Sequence, residues 1–357
     1  MIPVTMTKSF TTPTYRAGII GCGRIADTLE DDTIAGPSWA LQPYSHAGAY
    51  QRCARTELVA AADPNEDRRA NLGRRRGVTA LYADYLEMLD RERLDIVSIC
   101  VPTRAHGRIA VDVAGRGIKG IYLEKPIAQS LREADEMIAT FHRHGVAVAV
   151  NHMRTWDPIY GRVRQLIADG ALGQLRTIMA HVREGALFGG THLYDLLRFL
   201  IGAEPLWAFG ELHPGGPFDP GARGMIGFPN DVRVYVDGAS DDPTPMHLDI
   251  SGTEGRILVG NGVYPELFQI DRTGGRRVLT RRGFPGMHDG RSGMLRAVED
   301  LVAAIETGSK PASSPADARI DLEIAVAFHL SHRSGGRVTL PVTDLDYIIE
   351  DPWGRDA

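Results

Sequence analysis

The stretch Arg16-Ala17-Gly18-Ile19-Ile20-Gly21-Cys22-Gly23-Arg24-Ile25-Ala26 constrains this chain more than any other. A short apolar run, Ala17 to Ile20, breaks into Gly21-x-Gly23-x-x-Ala26. That order reads as a buried parallel strand ending in a glycine turn that opens a helix. Gly21 permits the tight turn and Gly23 lets backbone approach a pyrophosphate, while Ala26 allows helix to pack closely on strand. Gly21, Gly23, Arg24 and Ile25 are therefore the expected cradle of a dinucleotide, with helix N–H groups turned to its phosphates.

A second apolar run, Leu58 to Ala62, ends in Asp63. An acid at the end of the second strand accepts hydrogen bonds from the adenosine ribose and repels a 2′-phosphate, so it favours NAD over NADP. The usual spacing from the glycines to that acid is about 20 residues, yet here Gly23 and Asp63 are 40 apart. The excess, Glu30 to Ser45, reads as a loop inserted before the first helix resumes near His46, at the mouth of the dinucleotide site.

With 357 residues the chain divides into two expected domains, 16–150 and 151–357, behind a mobile leader over 1–15. The leader has no apolar core of a secretory signal, and no run is long enough to span a membrane. A net charge of −5 gives no basic field for nucleic acid. Cys22, Cys53 and Cys100 form neither a disulfide framework nor a metal pair, which fits a reducing cytoplasm. No group of His, Asp or Glu has metal-ligand spacing, and no metal is assigned.

Strand and helix alternate as far as Val150, as an α/β sheet requires. Strands are expected at Thr79–Leu81, Leu94–Val101, Ile118–Leu123 and Val146–Val150. Helices are expected at Asn65–Arg76, Ala105–Arg116 and Leu131–His144, the last with apolar residues at helical spacing. Beyond Asn151 come a helix Ile159–Asp169, a strand Gln174–Val182 and an apolar helix His192–Ile201. Short β segments between Pro205 and Thr280 point to an antiparallel or mixed sheet. Helices return at Met294–Glu306 and Ala316–His332, where Ser314-Pro315 supplies an N-cap and first-turn pair.

Glu124-Lys125-Pro126 closes the fifth expected strand. An ammonium held by such a turn stabilises the alkoxide-like charge that develops as hydride leaves a carbinol carbon. Taken in order, Gly21-x-Gly23-x-x-Ala26, Asp63, Val101-Pro102-Thr103-x-x-His106 and Glu124-Lys125-Pro126 resemble the glucose–fructose oxidoreductase / inositol dehydrogenase family over roughly Arg16 to Val342. The resemblance implies a Rossmann domain with a doubly wound parallel sheet. It further implies a C-terminal α/β domain with a large open, mostly antiparallel sheet and a last helix partly returning to the first domain. A nicotinamide cofactor, a sugar or cyclitol substrate, and a homodimer or homotetramer formed through the open sheet also follow from it.

Carried over by residue, Lys125 matches the lysine that contacts the reacting hydroxyl. Pro102, Thr103 and His106 match the loop under the nicotinamide, and Glu124 a cofactor-side residue. Arg154 and Trp156 enter the substrate segment, with packing at the domain joint the plainer role for Trp156. His192 matches the acid–base histidine. Four residues before it, where many relatives carry Asp, stands Phe188. A carboxylate there would orient the imidazole; Asp195, three residues after the histidine, is the nearest substitute. The leading expectation is an NAD-dependent oxidoreductase acting on a sugar or cyclitol, with Lys125, Arg154, Trp156, Phe188, His192 and Asp195 around the substrate. Two rivals stand beside it: redox-assisted elimination or glycoside cleavage that retains NAD, and a non-catalytic dinucleotide-binding regulator or partner subunit.

Overall fold

In the computed structural model, residues 14–35, 41–183, 185–213, 219–238, 246–261, 263–286 and 289–350 are described. Most of the expected leader lies outside them, and the first strand already begins at Tyr15. Strands β1 (Tyr15–Ile20), β2 (Thr56–Ala62), β3 (Ala80–Tyr82), β4 (Ile96–Ile99), β5 (Gly120–Leu123) and β6 (Ala147–Val150) form one parallel sheet. Their order is β3-β2-β1-β4-β5-β6. The order reverses between β1 and β4, so a crevice opens at the carboxyl ends of those two strands. The glycine turn, the 101–106 loop and the Glu124-Lys125 turn all lie at that end of the sheet.

Local chemistry sets the helix limits. Asn65 and Ser130 cap the helices Glu66–Arg76 and Leu131–His144 with their side chains. Gly77 and Gly145 close them in left-handed conformation. The inserted segment is only partly the loop expected of it. Its start is helical over Leu29–Ala35, after a wide five-residue turn Arg24–Thr28. The buried Asp27 carboxylate clamps this turn, accepting from Arg75 Nε (2.8 Å) and Arg76 Nε (2.5 Å), while Arg76 also reaches Glu30 (2.7 Å). Residues 36–40 lie outside the described part.

The second sheet contains β7 (Leu175–Val182), β8 (Trp207–His213), β9 (Gly221–Gly227), β10 (Arg233–Asp237) and β11 (Met246–Gly252). It continues with β12 (Gly255–Gly260), β13 (Val263–Asp271), β14 (Val278–Arg282) and β15 (Val338–Thr339). The order is β14-β13-β12-β11-β7-β10-β9-β8-β15. β7 and β10 are parallel and the other pairings antiparallel. One face packs on the helices Gly190–Ile201 and Pro315–Ser334, through Leu193, Leu197, Leu322 and Phe328. The opposite face presents Met179, Phe209 and Tyr235 to solvent. Helix Gly293–Thr307 instead joins the core of the parallel sheet, where Met294, Ala297, Val298 and Leu301 cluster with Ala17, Ile19, Ile96 and Tyr122. Among the described residues no helix is long and apolar enough to cross a membrane.

Candidate active site

The glycine turn has the shape a dinucleotide needs. Gly21 sits at φ +89°, and a Cβ there would lie 2.5 Å from the Cys100 carbonyl oxygen, so only glycine fits. Gly23 faces open space, with nothing within 4 Å of where a Cβ would stand. That is room for a phosphate beside bare backbone. Arg24 pairs with Asp32 at the rim, and Ile25 packs against the sheet core. Asp63 accepts from Cys22 N (2.7 Å) and Asn65 N (2.8 Å). The acid thus ties the glycine turn to the end of β2.

Two residues expected near the nicotinamide prove to be internal braces. His106 is buried, with Nδ1 2.9 Å from the Pro126 carbonyl and Nε2 3.0 Å from the Val101 carbonyl. Its pKa is lowered because burial disfavours the cation, against the pull of those carbonyls. It thereby fastens the Pro102-Thr103 turn to the Lys125-Pro126 turn. Glu124 is buried: Oε1 meets His46 Nε2 (2.9 Å) and accepts from Asn151 Nδ2 (2.6 Å). Oε2 accepts from Lys125 N (3.2 Å). Ser98, Tyr50 and Tyr122 extend this buried network. Burial raises the Glu124 pKa, but His46, Lys125 and Asn151 outweigh it and hold the carboxylate below its ordinary range.

Lys125, presented by the turn after β5, reaches across to the second half of the chain. Its Nζ lies 3.0 Å from the centroid of the Phe188 ring and 3.4 Å from the Phe188 carbonyl oxygen. Phe188 stands in a wide turn, Gly185–Gly189, just before the helix Gly190–Ile201. Asp219, which sequence reasoning missed, holds that turn by accepting from Leu187 N (2.9 Å) and Phe188 N (2.8 Å). Its pKa is raised by burial, partly countered by those bonds and by Lys125.

His192 is half-buried in the first turn of this helix, and its Nδ1 is buried without a partner. Its pKa is pushed well below the ordinary value by burial first, then by the charges of Lys125 and Arg154 and by His152. Those contributions put Lys125, Arg154 and His192 in one electrostatic neighbourhood. Arg154 Nε donates to Asn261 Oδ1 (3.3 Å), from the turn after β12.

Trp156 takes the plainer role: it is buried and donates through Nε1 to Asp300 (2.8 Å) on the helix Gly293–Thr307. Asp195 also departs from expectation, because helix geometry turns it into the interior. It accepts from Thr155 and Ser313 and stands 3.6 Å from His152 Nδ1, and no described hydrogen bond joins it to His192. Burial raises its pKa to about 7 despite Thr155 and Arg198. His152, Asp195 and Asp321 bring three donor atoms within 4.8 Å of one another. Arg198 donates to Asp321 Oδ1 and Ser313 to Asp195 Oδ1, while Asp321 Oδ2 and His152 Nε2 have no hydrogen-bond partner among the described residues.

Residues 15–152 match the model of the oxidoreductase family with an NAD-binding Rossmann fold. The match covers the parallel-sheet part of the chain, β1 to β6. Its scyllo-inositol 2-dehydrogenase (NAD(+)) relative from Bacillus subtilis is 26% identical over 80% of this chain and 89% of the relative. D-apiose dehydrogenase from Paraburkholderia graminis is 29% identical over 91% and 90%. The solved levoglucosan dehydrogenase, complexed with NADH and levoglucosan, matches with a TM-score of 0.74 at 20% identity, covering 92% of this chain and all of that one. The family is NAD-binding, and the open glycine turn and Asp63 fit that cofactor.

Proposed function

We propose that this protein is an NAD-dependent dehydrogenase or reductase of a secondary alcohol or ketone on a sugar or cyclitol. One observation carries the reading. Lys125, from the turn after β5, and Arg154 are both close enough to act electrostatically on His192, in the first turn of the helix behind the mixed sheet. Bound NAD supplies the redox step, taking up or returning a hydride at the substrate carbon. Gly21, Gly23 and Asp63 hold it, and Pro102 and Thr103 floor the crevice. Lys125 polarises the reacting oxygen and stabilises its developing negative charge. His192 takes the hydroxyl proton during oxidation and gives it back during reduction. The depressed pKa keeps this imidazole neutral at neutral pH, the form that can accept a proton. Arg154 and Phe188 line the substrate side, the ring offering an apolar surface to a sugar face.

The names of the curated relatives support the substrate class. The exposed side chains on the outer face of the mixed sheet support self-association through that face, and the cysteine usage supports a cytoplasmic home. Calorimetry with NAD tests the cofactor, and NADH formation across a panel of cyclitols and sugars tests the reaction. Failure to bind NAD, or binding with no turnover on any panel member or its keto form, would overturn the reading.

A further inference from the structure

Three buried side chains that the proposed reaction does not use converge beside the candidate active site. His152 follows β6, Asp195 lies on the helix Gly190–Ile201, and Asp321 lies on the helix Pro315–Ser334. The ring of His152 meets that of His192 edge to face, with centroids 5.6 Å apart. On its other side, His152 Nδ1 stands 3.6 Å from Asp195 Oδ1 and 3.7 Å from Asp321 Oδ2. One donor atom from each of the three lies within 4.8 Å of the others. Separations of 3.6 and 3.7 Å are too long for hydrogen bonds. They suit two ligands of one small cation: with bonds of about 2.1 Å, tetrahedral ligands stand about 3.4 Å apart. Residues so distant in the chain have no motif spacing, which is why sequence reading assigned no metal.

The inner oxygen of Asp321 is the decisive atom. Asp321 is 0% exposed, and its Oδ1 accepts from Arg198 Nη1 (3.1 Å). Its Oδ2 turns to the His152 nitrogen with no hydrogen bond among the described residues. An interior carboxylate oxygen left so is costly unless a positive charge meets it. Arg198 does not suffice, because its guanidinium is gripped by both oxygens of Glu204 and also meets Asp317 (3.3 Å). A dication cancels the charge of the two acids. The outer oxygens are already fixed as ligating carboxylates require, Asp195 Oδ2 by Thr155 and Asp321 Oδ1 by Arg198. Ser313 Oγ, 3.2 Å from His152 Nδ1 and 3.4 Å from Asp195 Oδ1, is the nearest further donor. We propose that His152 Nδ1, Asp195 Oδ1 and Asp321 Oδ2 bind one divalent transition-metal ion, zinc by the character of the donors. An imidazole among carboxylates suits zinc better than magnesium or calcium. The ion is structural: it staples the exit of the parallel sheet to the two helices behind the mixed sheet. The proposal does not depend on the role of His192.

The test needs no substrate. Full-length protein is expressed in zinc-supplemented medium, freed of any affinity tag, passed over chelating resin and assayed by elemental mass spectrometry. About one zinc per chain should remain. Crystals of that protein should show an anomalous difference peak at the zinc edge, about 2.0–2.2 Å from the three named atoms. Asp321→Asn keeps the size and removes the charge, and it should lower retained zinc at least about tenfold. His152→Gln serves in its place if that variant does not fold. Wild-type protein unfolded in chelator and refolded with Co2+ should gain the visible absorption of a four-coordinate site, and the variant should not. Zinc-free wild-type protein that also takes up no Co2+ would overturn the proposal and leave a bound proton to settle the acid pair. So would equal zinc in a folded variant, or an anomalous peak elsewhere in the molecule.

Discussion

The six-stranded and nine-stranded sheets bury their strands in different ways. β4 and β5 are buried at every residue, and β1 at all but one. β11 and β12 instead alternate buried and half-buried along most of their length. The parallel sheet has helices on both faces, one of them Gly293–Thr307, drawn from far along the chain. Among the described residues, the mixed sheet has helices on one face only. A strand buried on both sides has no free face for chemistry, so the groups proposed to act stand where strands end: Gly21, Pro102 and Lys125. A one-sided sheet leaves the site to the turns and helix starts that flank it, and there Phe188, His192 and Asn261 are found.

That contrast is sharpest at Lys125. It is the single side chain proposed to carry the parallel sheet's contribution to the chemistry. Lys125→Met should lower kcat by at least ~100-fold, the lower scale for a positioned electrostatic group. NAD affinity by calorimetry should stay within about twofold. A matching loss of NAD binding would mean that Lys125 serves the cofactor and not the reacting oxygen.

Two glycines separate the halves next. Gly21→Ala forces a side chain into the Cys100 carbonyl at positive φ and should weaken NAD binding by at least about tenfold, or about 1.4 kcal/mol. Gly224→Ala in β9 would bring a Cβ within 2.1 Å of the Phe209 carbonyl oxygen. It should cost about 1–3 kcal/mol in urea unfolding while NAD affinity of the folded protein holds. Equal effects of the two on NAD binding would erase the distinction between the sheets.

A third probe is acid. His329, in the helix Pro315–Ser334 behind the mixed sheet, has its pKa lowered from 6.5 to about 4 by burial and by His332. A histidine depressed in the fold contributes stability fully above its unfolded pKa and loses it as pH falls through the folded one. The urea midpoint of the wild-type protein should therefore fall between pH 6.5 and 4, and His329→Gln should flatten part of that slope. An identical slope in the variant would assign the acid sensitivity elsewhere.

The mildest expected effect lies on the outer face of the mixed sheet. Met179→Lys combined with Tyr235→Lys should dissociate the proposed oligomer in sedimentation velocity, with NAD binding unchanged. A monomeric wild-type protein would remove that face from consideration.

Much of the parallel half was legible because its signals are local. A glycine turn after an apolar run, a capping Asn or Ser, and a closing glycine act within a few residues of one another, so Gly21, Asp63 and the limits of Leu131–His144 could be read directly. Glu124 and His106 stand out in the sequence as positions, but the direction of their side chains is not legible there. Whether a side chain at a strand end turns to the crevice or to the interior depends on partners such as His46 and Asn151, which come from distant segments. Asp219 gave no signal at all, since its role exists only where two loops meet.

Sequence alone determined the alternating strands and helices of the first half and the glycine turn with its acid, because these follow from periodicity and from positions that only glycine or a short acid can fill, while the large second sheet and the role of Lys125 came through the family resemblance. Tertiary structure alone decided that Asp195 is interior, that Trp156 braces the helix Gly293–Thr307, and that His152 stands behind His192. The physical reason is range. Hydrogen bonds and burial that join residues over a hundred positions apart leave no local pattern, yet they fix which face of a helix meets water and which nitrogen of a histidine is left to act.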